Sequence, residues 1–232
     1  MNKEELQKRV KELSAKESWN HQIELPHGVV TRSHKIDSPG FNTTKWRRIL
    51  PFLEAVGLKG KNVLDVGCSD GYFSIEAAKL GAKSVVGTEV DPLRIQRATF
   101  AAEALEIPNV KFVKADILAD DMEGQKFDVV MALGLIHRVP DLDGCLHAMS
   151  KMADILLLEF KTLNQSGSHK KWHGGKTKSN TYNPLHYTPT LEYVQEKLTT
   201  AGYTNIKLVE DVTSSLQYKR SIILAQRGES KA

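Results

Sequence analysis

Apolar and polar positions along the chain follow two patterns, one typical of strands and one typical of helices. Short apolar runs of the length of a buried strand, about four to eight residues, recur and are separated by segments with helical spacing. This alternation favours an α/β fold built on a largely parallel sheet. The predicted strands cover residues 63–66, 84–90, 110–114, 127–131, 153–160, 205–210 and 221–226.

The amino terminus has the pattern of an amphipathic helix. Leu6, Val10 and Leu13 recur at helical spacing among lysines and glutamates. We expect this helix to pack across the mouth of a ligand site at the edge of the sheet. Residues 1–50 are predicted to form a helical cap and substrate-side segment, and residues 51–232 a catalytic domain with a lid insertion near residues 164–187.

The first predicted strand runs into a glycine turn. Residues 63–71, Val-Leu-Asp-Val-Gly-Cys-Ser-Asp-Gly, carry Asp65 at the strand end and turn at Gly67 and Gly71, where the backbone can approach a ligand closely. A helix at 72–80 and a second strand follow, and Glu89 stands about 20 residues after the first glycine, where an acid can bind ribose hydroxyls. This βαβ unit predicts a site for a nucleotide cofactor.

A nicotinamide dinucleotide is the rival cofactor for such a unit. Its fingerprint, Gly-x-Gly-x-x-Gly, is absent from the turn, and Asp70 would repel a pyrophosphate. A methyl donor carries a cationic sulfonium and an amine, which suit the carboxylates of Asp65 and Asp70. The turn therefore favours a methyl donor.

The order of strands and acids resembles class I S-adenosylmethionine-dependent methyltransferases, whose Rossmann-like sheet has seven strands, the last antiparallel, with helices on both faces. The resemblance implies S-adenosyl-L-methionine as cofactor, with Asp65 on its amino group, Glu89 on the ribose and Asp116 with Ile117 on the adenine. Ser69 stands where that family often has glycine, and we expect serine to be tolerated there. The implied cofactor-binding residues are Asp65, Gly67, Cys68, Ser69, Gly71, Tyr72, Phe73, Glu89, Asp116, Ile117 and Leu133.

A narrower resemblance covers roughly residues 19–226. Segments 18–31, 45–51, 61–71 and 219–225 are similar to the branch related to the tRNA wobble-uridine carboxymethyltransferase that makes 5-carboxymethoxyuridine. There a lysine, a tyrosine and an arginine hold the carboxylate of carboxy-S-adenosylmethionine; here His21 replaces the lysine, residues 133–138 contain no tyrosine, and Arg220 matches the arginine. These departures predict ordinary S-adenosylmethionine and transfer of a plain methyl group. The tRNA enzyme also has a longer region ahead of its catalytic domain, which we expect this chain to lack.

His137, just after the fourth predicted strand of the sheet, is the candidate catalytic base. Its ring could accept the proton of a hydroxyl or amine acceptor, and the alternative is that it only hydrogen-bonds the backbone. Trp19 and Trp46 form either an aromatic wall or part of the core. The candidate substrate contacts are Trp19, His21, Trp46, Lys171, Trp172, His186, Tyr187 and Arg220.

The basic, glycine-rich segment 167–182 is predicted to be a mobile lid. Lys170, Lys171, Lys176 and Lys178 would attract an anionic acceptor, and Trp172 offers a stacking face. The alternative is a solvated loop without a ligand. After this segment, Thr188 and Glu192 are expected to cap a helix.

Composition adds few constraints. A chain of 232 residues with a net charge of +4 fits one enzyme domain and does not call for nucleic acid. Two cysteines give no disulfide framework, and no signal peptide, membrane span or metal-ligand motif is found, so we expect a metal-free cytoplasmic enzyme that does not bind membranes.

These patterns predict methylation of an oxygen or nitrogen atom of a small polar or anionic metabolite or sugar. A tRNA or RNA methyltransferase is the second candidate function. A protein that binds the cofactor without catalysis is the third.

Overall fold

The structure is a computed structural model, and it describes residues 1–32, 41–119, 122–173, 186–213 and 217–228. The helices are α1 Lys3–Leu13, α2 Asn42–Val56, α3 Tyr72–Lys79, α4 Pro92–Ala104, α5 Leu142–Met152 and α6 Leu191–Thr200. The strands are β1 Glu24–Leu25, β2 Val29–Val30, β3 Asn62–Val66, β4 Ser84–Glu89, β5 Val110–Lys114, β6 Val129–Leu133, β7 Ile155–Leu163, β8 Lys170–His173, β9 His186–Pro189, β10 Asn205–Thr213 and β11 Tyr218–Gln226.

Seven strands form one sheet in the order β10-β11-β7-β6-β3-β4-β5. Strand β4 pairs in parallel with β3 and β5, and β6 pairs in parallel with β7. The last strand, β11, is antiparallel to both of its neighbours, β7 and β10. The predicted class of fold, with its antiparallel last strand, is confirmed.

Several strand boundaries differ from the prediction. Strand β6 begins two residues later than the predicted 127–131, because the Phe127 amide instead donates to the Met152 carbonyl. Strands β7 and β11 are longer than predicted, since their antiparallel ladder continues beyond the apolar run to pair Tyr218 with Leu163. Apolar runs thus locate the buried part of a strand and miss its polar ends.

Contacts between Cα atoms divide the chain into two compact units, residues 1–116 and 117–232, and each is described by itself. In the first unit, Leu6 and Leu13 of α1 pack with Phe100 and Ala101 of α4 in a buried cluster. Burial of a leucine side chain contributes about 1.5–3 kcal/mol. The amphipathic helix is therefore held on α4. The predicted cap domain at residues 1–50 stays a prediction.

Gly87 of β4 permits a close approach of neighbouring elements in the first unit. A Cβ atom at this position would lie 2.6 Å from Phe112 and 2.9 Å from the hydroxyl of Ser74. Glycine therefore lets Phe112 and Ser74 pack directly on the strand. The position of Ser74 matters below, because this side chain contacts Asp65.

In the second unit, helix α6 is capped differently from the prediction. Thr190 is the N-cap, and its hydroxyl accepts a hydrogen bond from the Tyr193 amide. Thr188 instead lies in β9, so its predicted capping role is wrong. The cause is Pro189, because a residue before proline is disfavoured in helical conformation.

Candidate functional site

Asp65 lies near the carboxyl end of β3 and is buried. The Ser74 hydroxyl, on α3, donates to its Oδ2 at 2.6 Å. Burial raises the pKa of Asp65 to about 6, although the Ser74 hydrogen bond and the charge of Lys45 act in the opposite direction. The side chain is therefore a buried acid that titrates close to neutral pH.

Glu89 ends β4 and is also buried. Its Oε2 accepts from the Ser69 amide at 3.1 Å, and its Oε1 accepts from the Val90 and Asp91 amides at 2.8 and 3.2 Å. The carboxylate thus links the glycine turn to the start of α4. A carboxylate accepts hydrogen bonds from hydroxyl groups, which is the chemistry that ribose binding requires.

Ser69 adopts a left-handed backbone conformation, with φ at 52°. Glycine favours this region and other residues are strained there. The Ser69 hydroxyl is within hydrogen-bonding distance of Asn20 and Arg94. These contacts offset part of the strain.

The contacts of Asp70 favour a structural role over the predicted role as a partner of a cationic cofactor. Its carboxylate is fully buried, and Oδ2 accepts hydrogen bonds from the backbone amides of Asn20 and His21. Its Oδ1 lies 3.5 Å from a guanidinium nitrogen of Arg97. Burial raises the pKa of Asp70, and these donors oppose the rise. Asp70 therefore fastens residues 20 and 21 to the glycine turn.

Arg97 of α4 is the centre of this attachment. Its guanidinium donates to the carbonyl of Leu13 at 2.8 Å and to the carbonyl of Glu17, and it pairs with the Glu17 side chain at 3.3 Å. It also lies over the ring of Trp19, 5.4 Å from the centroid. A fully buried arginine with these partners holds the segment after α1 against α4.

His21 caps helix α3 from a distant part of the chain. Gly71 at the N-cap has no side chain, and the Tyr72 amide instead donates to Nδ1 of His21 at 3.3 Å. Burial lowers the pKa of His21 to about 3, and the charges of Lys45, Arg94 and Arg32 lower it further. The ring is therefore neutral, and with Nδ1 accepting, Nε2 carries the proton.

Aromatic rings surround this cap. The His21 ring centroid lies 5.4 Å from that of Phe73, and Trp46 lies 6.4 Å from both Tyr72 and Phe73. Nζ of Lys45, a buried residue, lies 5.2 Å from the Phe73 ring centroid. The structure thus brings four predicted site residues together at the start of α3.

Trp19 lies elsewhere in the first unit. Its side chain is 1% exposed and packs on Phe100 at 6.4 Å between ring centroids. This position favours the core alternative for Trp19, because no ring face is left for a substrate.

Cys68 is buried as well, and burial raises the pKa of its thiol. Asp116 is exposed at the end of the unit, beyond β5.

In the second unit, Nδ1 of the buried His137 accepts a hydrogen bond from the Lys161 amide at 3.2 Å. In a neutral ring the proton is then on Nε2. Nδ1 is therefore occupied and cannot accept a proton from a substrate. The geometry favours a role for His137 in positioning the acceptor over a role as general base. The neighbouring predicted residues Ile117 and Leu133 are both buried.

Arg220 is held by a buried acid. Its Nε and one terminal nitrogen donate to the two oxygens of Glu159 at 2.5 and 2.6 Å, in a bidentate ion pair. The Glu159 side chain is 2% exposed. Glu159 therefore neutralises much of the charge of Arg220, the candidate substrate contact that matches the carboxylate-binding arginine.

The hairpin β8–β9 carries the predicted lid residues. Trp172 is 44% exposed, and its ring contacts that of Tyr187, with 4.6 Å between the centroids and an angle of 51° between the planes. Lys171 is exposed and His186 is half-buried. The predicted contacts Lys176 and Lys178 lie outside the described residues.

Lys170 is not a free anion receptor. Its Nζ lies 2.7 Å from Asp143 of α5, and the Tyr193 hydroxyl of α6 donates to the same carboxylate. Burial alone would raise the pKa of Asp143, but the hydrogen bonds from Lys170 and Tyr193 lower it on balance. Lys170 thus attaches the hairpin to both helices.

Sequence reasoning missed four residues that build these sites, namely Ser74, Arg97, Lys45 and Lys161. A signal existed for Lys45 alone. It lies with Trp46, Ile49 and Leu53 on the buried face of α2, at helical spacing, and a lysine on such a face points to a specific partner. The others depend on contacts between distant parts of the chain.

Within the described residues, no helix is both long and apolar enough to span a membrane. No group of histidine, cysteine, aspartate and glutamate side chains in the same residues has the arrangement of a metal site.

Residues 58–169 match a family described as a methyltransferase domain. The chain is 26% identical to a tRNA U34 carboxymethyltransferase of Alcanivorax borkumensis, over 76% of this chain and 55% of that protein. It is 28% identical to the protein of the same name from Pseudomonas aeruginosa, over 81% of this chain and 58% of that protein. The chain therefore spans slightly more than half the length of these curated relatives.

Solved structures share the fold. The N-terminal domain of EvdMO1, crystallised in the presence of SAH and D-fucose, has a TM-score of 0.81 and 20% identity, with 98% of each chain covered. Magnesium protoporphyrin IX methyltransferase (ChlM) from Synechocystis PCC 6803 with bound SAM has a TM-score of 0.60 and 20% identity, covering 85% of this chain and 87% of that one.

Proposed function

Because the chain carries a methyltransferase domain of the class I, S-adenosylmethionine-dependent type, we propose that it methylates an oxygen or nitrogen atom of a small polar or anionic metabolite or sugar. The predicted fold, enzyme class and cofactor are confirmed for the domain. The observation that carries the proposal is the pair of buried acids, Asp65 and Glu89, at the carboxyl ends of adjacent parallel strands. Ligands of open α/β sheets bind at this edge.

The residues of the first unit suit the chemical groups of the cofactor. Asp65 would bind the amino group, and Glu89 would bind the ribose. Lys45 and the protonated Nε2 of His21 are donors near the start of α3, and both would suit the carboxylate of the cofactor. For the adenine, Asp116 with Ile117 and Leu133 remain the predicted contacts.

The cofactor supplies a methyl group on a sulfonium, and the chain's own residues orient the acceptor. His137 would act as a positioning residue for the acceptor and not as its base, because the Lys161 amide occupies Nδ1. A hydroxyl or amine acceptor then loses its proton to solvent or to a group of the acceptor itself. His137→Ala should lower turnover and leave cofactor affinity nearly unchanged, and full activity in this variant would remove the residue from the reaction.

Two observations support a small acceptor. The exposed Trp172 ring and the half-buried Tyr187 ring form an aromatic pair against which a sugar ring can pack. The N-terminal domain of EvdMO1, which has the same fold, was crystallised in the presence of D-fucose. A sugar or a sugar-bearing metabolite is therefore the acceptor class that we favour.

The test is transfer of label from methyl-tritiated S-adenosylmethionine in host extract. Label in the soluble small-molecule fraction is expected and would start the search for the acceptor. Label in acid-precipitable material that nuclease releases would instead establish RNA methylation. If calorimetry shows cofactor binding but no label is transferred, the protein would be a cofactor-binding protein without catalysis.

RNA methylation is the second candidate because the curated relatives are named tRNA U34 carboxymethyltransferases. An RNA substrate would require binding that weakens steeply with salt, as phosphate contacts release counterions. Affinity for host tRNA that does not change between low and moderate salt would argue against it.

Cofactor binding is tested separately with Asp65→Ala and Glu89→Ala. Each should weaken binding of S-adenosylmethionine at least tenfold, which is about 1.4 kcal/mol. Glu103→Ala is the matched control, because Glu103 is an exposed acid on α4 in the same unit. Wild-type affinity in a folded Asp65→Ala protein would remove Asp65 from the cofactor site.

A further inference from the structure

Two cations face each other across the antiparallel strands β7 and β11. Lys161 and Arg220 are direct partners in the ladder, so their side chains project from the same face of the sheet. Like charges directly opposite each other destabilise a pair of strands. This arrangement therefore needs a compensating partner.

Glu159 compensates the charge of Arg220 but not that of Lys161. Two residues before Lys161 on β7, its carboxylate takes both hydrogen bonds of the Arg220 fork. Among the described residues, no carboxylate pairs with Lys161, whose Nζ lies 3.5 Å from the centroid of the Tyr218 ring. Burial lowers the pKa of Lys161, and the charges of Arg220 and Arg138 lower it further. The ammonium group is thus crowded by cations.

Lys161 also lies beside His137, the proposed positioning residue. Its backbone amide is the donor that fixes the ring of His137. Strand β9, which carries Tyr187 of the aromatic pair with Trp172, packs against the same strand β7. Strand β7, which carries Lys161, thus borders both His137 and the strand of Tyr187, which the proposed function assigns to the acceptor.

We propose that Lys161 is a specificity-determining residue that binds an oxyanion, a carboxylate or a phosphate, on the methyl acceptor. An anion at Nζ would relieve the repulsion from Arg220, whereas a neutral group would not. Arg220 is less suited to this role, because Glu159 already occupies its fork. The inference rests on the proposed function, and it narrows the acceptor to an anionic member of the class.

The test measures anion binding by the cofactor-loaded protein. Binding is detected as a rise in the midpoint of thermal unfolding at constant ionic strength. Inorganic phosphate and acetate are the two probes, and they distinguish a phosphate from a carboxylate acceptor. Wild type should bind one of them at least tenfold more tightly than Lys161→Met. Lys161→Arg should retain binding because it keeps the charge.

Lys207→Met is the matched control, because Lys207 is an exposed lysine on β10 of the same unit. It should bind the probes as wild type does. The proposal is overturned if wild type and Lys161→Met respond equally to both anions. It is also overturned if Lys207→Met loses binding to the same extent, since a general charge effect would then explain the result.

Failure of the proposed function would give a different result from failure of the Lys161 proposal. S-adenosylmethionine affinity, measured by calorimetry, should be the same in wild type, Lys161→Met and Lys207→Met. Loss of cofactor binding or of label transfer in wild type would reject the enzyme assignment whatever the anion probes do. Intact transfer with equal anion responses would reject Lys161 alone.

Discussion

At the scale of single residues, the ionisation of Asp65 should control cofactor affinity. Its pKa is raised to about 6, so the carboxylate that we propose binds the cofactor's ammonium group is protonated as the pH falls. We expect affinity for S-adenosylmethionine to be about tenfold lower at pH 5 than at pH 7. Calorimetry across this range measures it. Asp65→Asn should bind weakly at every pH, and a flat wild-type profile would contradict the assignment.

The same shift has a consequence for the free protein. Because the folded pKa of Asp65 is raised, its favourable contribution is complete below the unfolded value of 3.8 and is lost as the pH rises through about 6. Asp65→Asn should therefore unfold at the same or a higher temperature than wild type at pH 7. The buried carboxylate of Asp65 thus lowers the stability of the free protein at neutral pH, where the proposed function needs it ionised for cofactor binding.

Ser69 should reverse the usual ranking of glycine and alanine. Its φ of 52° is strained for any side chain, so Ser69→Gly should be about 1 kcal/mol more stable than Ser69→Ala. Denaturant unfolding measures the difference. Ser84 of β4 is the control, because in an ordinary strand the alanine variant should be the more stable. The same order at both positions would exclude strain at Ser69.

At the scale of elements, Arg97 decides whether the segment after α1 stays attached to α4. Arg97→Met removes the donors to Leu13 and Glu17 and leaves Asp70 with fewer partners in a buried place. We expect a loss of about 3 kcal/mol in the free energy of unfolding. Faster proteolysis within residues 1–32 should accompany it.

Arg9→Met is the comparison for this loss. Arg9 forms an exposed ion pair with Glu12 on α1, and such pairs contribute about 0.2–0.5 kcal/mol. Equal effects of the two substitutions would show that Arg97 contributes no more than a surface charge.

Helices and strands were predictable from the sequence where the pattern that determines them lies within the segment itself. Strand β5 has the predicted bounds and α3 differs by one residue, because apolar spacing and the glycine turn are local features. Asp65 and Glu89 were placed at strand ends for the same reason. The partners of Asp70 could not be predicted, since its donors come from residues 20 and 21, about fifty positions away.

At the scale of the whole molecule, cofactor binding should raise thermal stability. A ligand at 100 times its dissociation constant stabilises the folded state by about 2.7 kcal/mol. Scanning calorimetry with and without S-adenosylmethionine measures this. Glu89→Ala should show a much smaller increase at the same cofactor concentration. An identical increase in wild type and Glu89→Ala would place binding elsewhere.

The cap that His21 provides for α3 has a practical consequence for anyone who shortens the chain. A fragment that starts at α2 would keep the glycine turn and both strand-end acids. It would lose the imidazole that accepts from the Tyr72 amide and the two amides that bind Asp70. The helix would begin with an unsatisfied donor beside an acid without its backbone partners. A minimal cofactor-binding fragment must therefore include residues that precede the motif by about fifty positions.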